Sequence, residues 1–432
     1  MTTTEPSTTA IPERWKLNVG LFLTGQTVSL FGSIIVQYAV MWYVTLETKS
    51  GLAVAIYALA AFLPQGLVSI FGGTLADRIN RRVLVMTADA IIAATTLALA
   101  LLMLTGVTDL WIILLAVAVR SVGAGFQTPA VQAMIPQIVP GEQLMRVNGL
   151  FGTIQSAMTL LAPAVAGGVY ALAGIVPTFF IDVATAVVGI GLLALVKVPT
   201  LDRSAEGATS YKEDLVEGFR YISSHRVVRW LLTVFAIIFL LTVAPSFITP
   251  LMIARTWGED PLLLTYLELA FGAGMIAGGI LVSTVLAKRS PLSLILVSTF
   301  GFAVLTVGLG LSPELWIFYG FMLLIGLLVP AFSAPFMTLI QQTVEPSKHG
   351  RVFSYVGIVM ALATPAGMLV FGPLADIVTV QSLLVGAGIV TAVVMVVAIA
   401  LPSGRAAMEA ARTAPGEPED EVATPESVGE PG

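Results

Sequence analysis

Residues 83–105 read VLVMTADAIIAATTLALALLMLT, an apolar run of 23 residues whose single charged side chain is Asp89. A helix of about 20 apolar residues crosses the roughly 30 Å hydrocarbon core of a bilayer, so this run predicts a membrane span. Eleven similar runs occur elsewhere in the 432-residue chain, and the first is too long for a signal-peptide core. The twelve predicted spans are 17–45, 51–76, 83–105, 110–127, 146–173, 176–196, 227–254, 262–287, 292–311, 314–341, 352–376 and 380–401.

The composition supports an all-α integral membrane protein and excludes several functions. Hydrophobic residues make up 57% of the chain and charged residues 11%, against roughly 25% charged residues in soluble domains. The net charge of −5 offers no basic surface for nucleic acid. Without cysteine and with two histidines, the chain has no disulfide and no cysteine- or histidine-rich metal site. The sequence contains no phosphate-binding loop, so we expect the chain not to hydrolyse ATP by itself. No predicted span carries a histidine cluster, a cysteine nucleophile or a metal-ligand motif, so we expect no cofactor and no enzymatic activity.

Lysine and arginine are distributed unevenly between the two sides of the predicted helix bundle. Twelve spans place both termini on one side, which carries eighteen basic residues, whereas the opposite loops carry only Lys49 and Arg255. Basic loops stay on the cytoplasmic side of a membrane. We therefore expect a multi-pass protein of the cytoplasmic membrane with both termini in the cytoplasm.

The longest internal loop, residues 197–226, divides the spans into six and six. Residues 210–226 within it form a charge-rich, amphipathic pattern that predicts a surface helix. The predicted units are bundles at residues 17–196 and 227–401, with this loop as the linker. The tails, residues 1–16 and 402–432, are expected to be cytoplasmic. Disorder is expected for residues 1–13 and for the acidic C-terminal tail, because they are rich in Thr, Pro, Glu and Gly.

An internal repeat relates the two predicted bundles. The sequence PAVQAMIPQIVP at 129–140 follows the fourth span, and PFMTLIQQTVEP at 335–346 follows the tenth, 206 residues later. Duplication at half-chain distance is typical of transporters whose halves are related by an axis normal to the membrane. The prediction is two pseudo-symmetric six-helix bundles.

The loop between spans two and three carries a family signature. Residues 73–82 read GTLADRINRR, which resembles the GxLaDRxGRR signature of the major facilitator superfamily, with Asn80 in place of a glycine. Asparagine tolerates the left-handed backbone better than most residues. Residues 129–150 and 179–189 are similar to the drug:proton antiporter branch, which includes macrolide efflux proteins and siderophore exporters. The resemblance covers nearly all of residues 17–401 and implies the major facilitator fold.

The signature loop supplies a candidate conformational latch. Asp77 lies at the end of a span, where a carboxylate pairs with arginines or with the positive N-terminus of a helix. The resemblance implies that the loop grips the start of the eleventh span in the outward-facing state. Alternatively, the arginines only set topology and the acid is incidental. The predicted latch residues are Gly73, Asp77, Arg78, Arg81 and Arg82.

Ionisable residues inside predicted spans are costly and therefore candidate functional groups. Four are singled out as proton-coupling candidates: Glu268, Asp182, Arg120 and Asp89. An embedded carboxylate that takes up and releases a proton couples transport to a proton gradient, and Glu268 ranks first, then Asp182. Arg120 corresponds to an arginine of the family and requires an acidic or carbonyl partner. The alternative is a capping or packing role, which is favoured most for Asp89.

Polar side chains on the first and fourth spans outline a candidate substrate path. Those of the first span recur every three or four residues and therefore share one helix face. Serine also packs membrane helices closely, which is the alternative. The predicted cavity residues are Gln26, Ser29, Ser33, Gln37, Gln127 and Phe271.

The sequence predicts a twelve-helix secondary transporter. We expect it to export an amphipathic or hydrophobic, drug- or macrolide-like compound in exchange for protons, by alternating access. The alternatives are export of a siderophore, another metabolite or a lipid, uptake by proton symport, and a receptor without transport activity. The expected partners are a small amphipathic molecule, protons and the lipid bilayer, and the protein is expected to be a monomer.

Overall fold

The computed structural model describes residues 14–198, 211–345, 348–402 and 404–405, and only the backbone of residues 70–78 and 211–215. Within these ranges the chain is helical and contains no strand. Twelve helical segments are long and apolar enough to cross a membrane, which confirms the predicted number of spans. The predicted disordered tails fall largely outside the described residues.

Fourteen α-helices are present in the described part of the chain. The seventh span consists of α8 and α9, joined by a π-helical turn at Ala244–Ile248, and α7 is a short helix between the sixth and seventh spans. The helices are α1 Trp15–Thr48, α2 Gly51–Arg78, α3 Arg81–Leu104, α4 Leu110–Ile138, α5 Leu144–Ala173, α6 Val176–Leu195, α7 Tyr211–Ser224, α8 Arg226–Leu241, α9 Thr249–Thr256, α10 Pro261–Thr284, α11 Pro291–Leu311, α12 Leu315–Thr343, α13 His349–Ile377 and α14 Val380–Ala400.

The fourth span of each half, α4 and α12, shows the internal repeat most directly. Helices α4 and α12 each contain 29 residues. Their first residues, Leu110 and Leu315, are separated by the same 205 positions as their last residues, Ile138 and Thr343.

The predicted end of span four at residue 127 was wrong, because the helix continues through Pro129 and Pro136. A membrane helix tolerates proline where neighbouring helices and side chains satisfy the freed backbone groups.

Close helix packing within each half depends on small residues. In the first half α1 packs on α6 and α2 on α4, and in the second half α10 packs on α12. A Cβ atom at Gly274 would lie 2.0 Å from the carbonyl oxygen of Leu323, and one at Gly278 would lie 2.2 Å from that of Leu327. The backbones of α10 and α12 therefore touch, as in other small-residue contacts between membrane helices.

The two halves meet along two helix pairs, α2 with α13 and α5 with α10. Small residues again allow close approach, since a Cβ at Gly51 would lie 2.2 Å from the carbonyl oxygen of Gly372. On the second pair, Gly167 faces Thr265 at a distance that admits no side chain. The side at which α1 begins is called the terminal side here, and residues 49–52 lie on the opposite side.

The break in the seventh span shapes the space between the halves. Pro245 and Pro250 cannot donate a backbone hydrogen bond, so the regular helix is interrupted between α8 and α9. The interrupted turn presents Pro245, Ser246 and Phe247 to a cavity at the centre of the bundle. An irregular segment is tolerated inside a membrane protein where it lines such a cavity.

The linker contains a helix where the sequence predicts one. Helix α7 covers Tyr211–Ser224, against the predicted residues 210–226. Its Glu217 accepts hydrogen bonds from Lys348 and from Arg351, each at 2.7 Å. The linker helix is thus fixed to the first turn of α13 by ion pairs.

Candidate functional site

A cavity of about 340 Å³ lies between the two halves at the centre of the bundle. Helices α1, α2 and α5 of the first half line it, together with the interrupted seventh span, α10 and α12 of the second. It brings together three residues that the sequence singles out: Gln37, Glu268 and Phe271. We call this space the central cavity.

The acidic residue of the central cavity is Glu268 on α10. Tyr38 on α1, from the other half, lines the same cavity as this carboxylate. The walls around the carboxylate are mostly apolar and include Phe62 and Phe247, whose rings meet edge to face across the boundary between the halves at 5.7 Å. A carboxylate in such surroundings binds either a proton or a cationic group, because an isolated charge there is unfavourable.

A second cavity of about 240 Å³, the aromatic pocket, adjoins the central cavity in the second half. The two spaces share Pro245, Ser246, Phe271 and Ile325 as lining residues. Phe235 and Phe336 stack in the pocket with centroids 4.2 Å apart and an interplanar angle of 13°. Phe332 lies parallel to Phe336 at 6.0 Å. The pocket offers flat apolar surfaces next to the Glu268 carboxylate.

A third cavity of about 180 Å³, the polar pocket, lies within the first half. It shares Ile34, Gln37 and Tyr57 with the central cavity, so the three spaces are contiguous. The polar pocket also contains three other residues that the sequence singles out. They are Ser33, Arg120 and Gln127.

Arg120 has the acidic partner that the sequence requires. Its guanidinium pairs with Asp182 on α6 at 2.5 Å and also donates to Thr96 on α3. Thr96 donates to Asp182 at 2.8 Å, and Ser33 donates to the other carboxylate oxygen at 3.0 Å. The Asp182 side chain is fully buried, and its partners come from three other helices, α1, α3 and α4. We call this group the Arg120 cluster.

Asp89 lies in a separate polar group, the Asp89 cluster. Ser29 donates to its Oδ1 atom at 3.1 Å, and Gln127 donates to the same oxygen. Gln26, one turn before Ser29, is fully buried. The polar side chains of α1 are thus divided between two environments. Ser33 and Gln37 line cavities, whereas Gln26 and Ser29 are buried among neighbouring helices.

The predicted latch is described in part. The side chains of Gly73, Asp77 and Arg78 lie outside the described residues. Arg81 donates to the carbonyl oxygen of Ala133 at 2.8 Å, and Arg82 donates to that of Val196 at 3.0 Å and to that of Ala194. Both arginines thus bind the carboxyl-end regions of neighbouring helices, where a cation is favoured.

Asn80, the departure from the signature, has an ordinary backbone. Its φ of −62° is not left-handed, and its side chain accepts a hydrogen bond from Arg82 N at 3.0 Å as the N-cap of α3. The residue needs no left-handed conformation here because it serves as a helix cap.

A cluster on the opposite side was missed by the sequence analysis. Asp376 on α13 accepts hydrogen bonds from the backbone of Gly51 and Leu52 on α2 and pairs with Arg255 at 2.6 Å. Arg255 also donates to the carbonyl oxygen of Lys49. The sequence does contain a signal for this cluster, because Lys49 and Arg255 are the two basic residues predicted on the side that otherwise lacks them.

Comparisons with known proteins agree with this architecture. The chain matches the Major Facilitator Superfamily over residues 17–367. It is 30% identical over 365 residues to macrolide efflux protein A of Streptococcus pyogenes, covering 84% of this chain and 90% of that one. It is 27% identical over 384 residues to the multidrug efflux pump Tap of Mycobacterium tuberculosis, covering 84% and 88%.

Solved structures show the same fold. A bacterial homologue of the human lysosomal transporter Spinster, in an inward-facing and unoccupied conformation, superposes with a TM-score of 0.69 and 15% identity, covering 92% of this chain and 98% of that one. A bacterial homologue of the iron transporter ferroportin, in an inward-facing state, gives a TM-score of 0.63 at 19% identity, covering 88% and 98%. These relatives are transporters rather than enzymes. The chain belongs to the major facilitator superfamily of membrane transporters.

Proposed function

We propose that this transporter exports amphipathic compounds that carry a basic amine, macrolide-like molecules among them, in exchange for protons. The observation that carries the proposal is the position of Glu268, whose carboxylate lies in a cavity between the two halves and beside the aromatic pocket. A protonated amine binds the carboxylate while apolar parts of the molecule occupy the aromatic surfaces. Aromatic rings also attract cations through their faces.

Exchange follows if the proton and the substrate compete for one carboxylate. A protonated Glu268 has no charge with which to bind an amine, and an amine bound to the carboxylate excludes the proton. Tyr38 belongs to the other half and lines the same cavity, so occupancy of the Glu268 site can depend on the relative position of the halves. Alternating access then carries one ligand in each direction.

The proposed direction of transport is supported by the charge distribution and by the names of the relatives. The excess of lysine and arginine on the terminal side supports a cytoplasmic location for that side. Polar contacts of Asp376 and Arg255 join the halves on the opposite side, which supports entry of the substrate into the central cavity from the terminal side. The names of the efflux relatives support export. The contiguous cavities lie within one chain, which supports a monomer as the functional unit.

The test uses everted membrane vesicles with an acidified interior and a pH-sensitive dye. Addition of erythromycin, which carries a basic amine, should release protons from vesicles that contain the wild-type protein, and Glu268→Gln should abolish the release. Glu314→Gln is the matched control, because Glu314 is exposed at the start of α12 and should leave the response unchanged.

Three other results would contradict parts of the proposal. Wild-type proton release in the Glu268→Gln variant would show that Glu268 does not couple transport to protons. The absence of any response to erythromycin would reject drug antiport in favour of a siderophore, another metabolite or a lipid, and the same vesicles would then be tested with siderophores. If cells that lack the protein accumulate less of the compound, the transporter is a proton symporter for uptake.

A further inference from the structure

We infer that Asp89 is a second proton-binding site, separate from the substrate cavity, whose proton also moves during transport. The inference rests on the proposed proton-coupled export. It concerns a residue for which the sequence favours a packing role, and the contacts of the two buried aspartates of the first half carry it.

The two aspartates have opposite electrostatic surroundings. Asp182 is paired with the Arg120 guanidinium, and both its carboxylate oxygens accept hydrogen bonds. Asp89 is also buried, with 2% of its surface exposed, but its hydrogen-bond donors are the neutral side chains of Ser29 and Gln127. Asp182 is therefore a compensated anion, whereas Asp89 has no such compensation in its cluster.

The hydrogen bonds of Asp89 are also unevenly distributed. Both donors point at Oδ1, and Oδ2 has no hydrogen-bond partner among the described residues. A buried carboxylate needs donors on both oxygens to remain ionised in a membrane interior, because each unsatisfied polar atom is costly there. A proton on Oδ2 removes the charge and leaves the two bonds to Oδ1 intact. The geometry thus fits the neutral acid.

The two clusters are stacked along the same helices. Helix α1 contributes Ser29 to the Asp89 cluster and Ser33 to the Arg120 cluster, and α4 contributes Gln127 and Arg120. At 1.5 Å per residue the layers are separated by roughly 6 to 10 Å along the helix axes. The Asp89 cluster is the layer nearer the terminal side, towards which a proton carried inwards would leave. Asp182 on α6, the buried acid of the other layer, is paired with Arg120.

Access to Asp89 differs from access to Glu268. Gln127 lines the polar pocket and donates to Asp89, so the carboxyl group lies one side chain away from a cavity that opens into the central cavity. A substrate that fills the central cavity does not contact Asp89, because Gln127 and Ser29 cover it. The Glu268 proton is exchanged for substrate, whereas the Asp89 proton is not displaced by it.

Two measurements on the purified full-length protein test the inference. Infrared spectra in lipid nanodiscs at neutral pH should contain carboxylic acid C=O stretching intensity that Asp89→Asn removes and that Asp109→Asn retains. Asp109 is an exposed residue at the start of α4 and serves as the matched control. In proteoliposomes with erythromycin and an enclosed pH dye, Asp89→Asn should move one proton fewer per substrate and bind erythromycin with unchanged affinity.

The conservative variant Asp89→Glu distinguishes the loss of a titratable group from a folding defect. Asp89→Glu keeps a titratable acid and should retain the wild-type proton-to-substrate ratio if it folds. Wild-type infrared intensity in Asp89→Asn, or an unchanged proton-to-substrate ratio, would overturn the inference. If the wild-type protein moves no protons with erythromycin, the proposed export itself fails, and the infrared band still decides whether Asp89 holds a proton.

Discussion

The Asp376 carboxylate accepts the backbone N–H of Gly51 at 2.7 Å, so a side chain at the end of α13 caps the first turn of α2 in the other half. Leu52 N donates to the second carboxylate oxygen at 2.8 Å, and the Ser50 hydroxyl donates to it at 2.9 Å. A carboxylate is stabilised at a helix N-terminus by free N–H groups and by the helix dipole. The first turn of α2 loses this cap when the halves separate on the opposite side.

We predict that Asp376→Ala shifts the transporter towards the outward-facing state. A hydrogen bond to a charged group contributes about 1.5 to 3 kcal/mol, so the loss of one such bond raises the outward population about tenfold or more. The chain has no cysteine, so a single Met41→Cys substitution in the central cavity reports access. An impermeant maleimide applied from outside should label this position faster in the Asp376→Ala background.

Glu259→Gln provides the control for this experiment. The Lys49–Glu259 ion pair also joins the halves, but its side chains are 43% and 61% exposed. Exposed pairs contribute roughly 0 to 1 kcal/mol, so labelling in this background should stay close to the wild-type rate. Equal labelling rates in the Asp376→Ala and wild-type backgrounds would show that the cap does not hold the seal.

The Arg120–Asp182 pair gives a prediction about stability. Removal of one partner from a buried ion pair costs roughly 3 to 5 kcal/mol, because the remaining charge is uncompensated. Arg120→Gln and Asp182→Asn should each lower the thermal midpoint of the purified protein strongly. The double variant should recover most of the loss, since Thr96 and Ser33 remain to bind the amides. A double variant as unstable as the sum of the single variants would contradict this pairing.

The aromatic pocket gives a prediction about substrate affinity. Phe336→Ala removes one ring of the Phe235 stack and with it apolar surface that a bound substrate would cover, at roughly 25 cal/mol per Å². The KM for erythromycin should rise severalfold or more in vesicle transport. Phe353→Ala, which removes a ring beside His349 at the start of α13, should leave the KM unchanged. Equal KM values for Phe336→Ala and the wild-type protein would show that the aromatic pocket does not bind the substrate.

The contact between α10 and α12 predicts that two glycine-to-alanine substitutions on α10 affect thermal stability differently, because only one of them disturbs helix packing. Gly274→Ala places a methyl group against the Leu323 carbonyl, and overpacking costs about 1 to 3 kcal/mol. Gly279→Ala, five residues along α10, meets no atom within 4 Å. Thermal unfolding in detergent should show a lower midpoint for Gly274→Ala alone. Identical midpoints for the two variants would mean that the helices do not touch at this point.

Sequence patterns identified the spans because apolar length is a local property. The run at 83–105 predicts a helix whatever surrounds it, and α3 covers Arg81–Leu104. The sequence also required a partner for Arg120, because an unpaired charge is unfavourable inside a span. It did not foresee that α4 continues to Ile138, since prolines usually mark a helix end in a soluble protein.

The candidate site was only partly accessible to sequence reasoning. Glu268 was identified from its embedded position, but its neighbour Tyr38 comes from a helix 230 residues away in the chain. Asp89 ranked last because its position in the third span resembles a capping role. Its lack of a cationic partner is visible only when α1, α3 and α4 are packed together.

The sequence by itself determined the membrane location, the number of spans, the duplicated halves and the family, because hydrophobic length and local motifs do not depend on distant contacts. The tertiary structure decided which charges pair. Arg120 neutralises Asp182 rather than Asp89, and Asp376 caps a helix of the other half. Electrostatic energies depend on distances between atoms that are remote in the chain, and only the packed helices fix those distances.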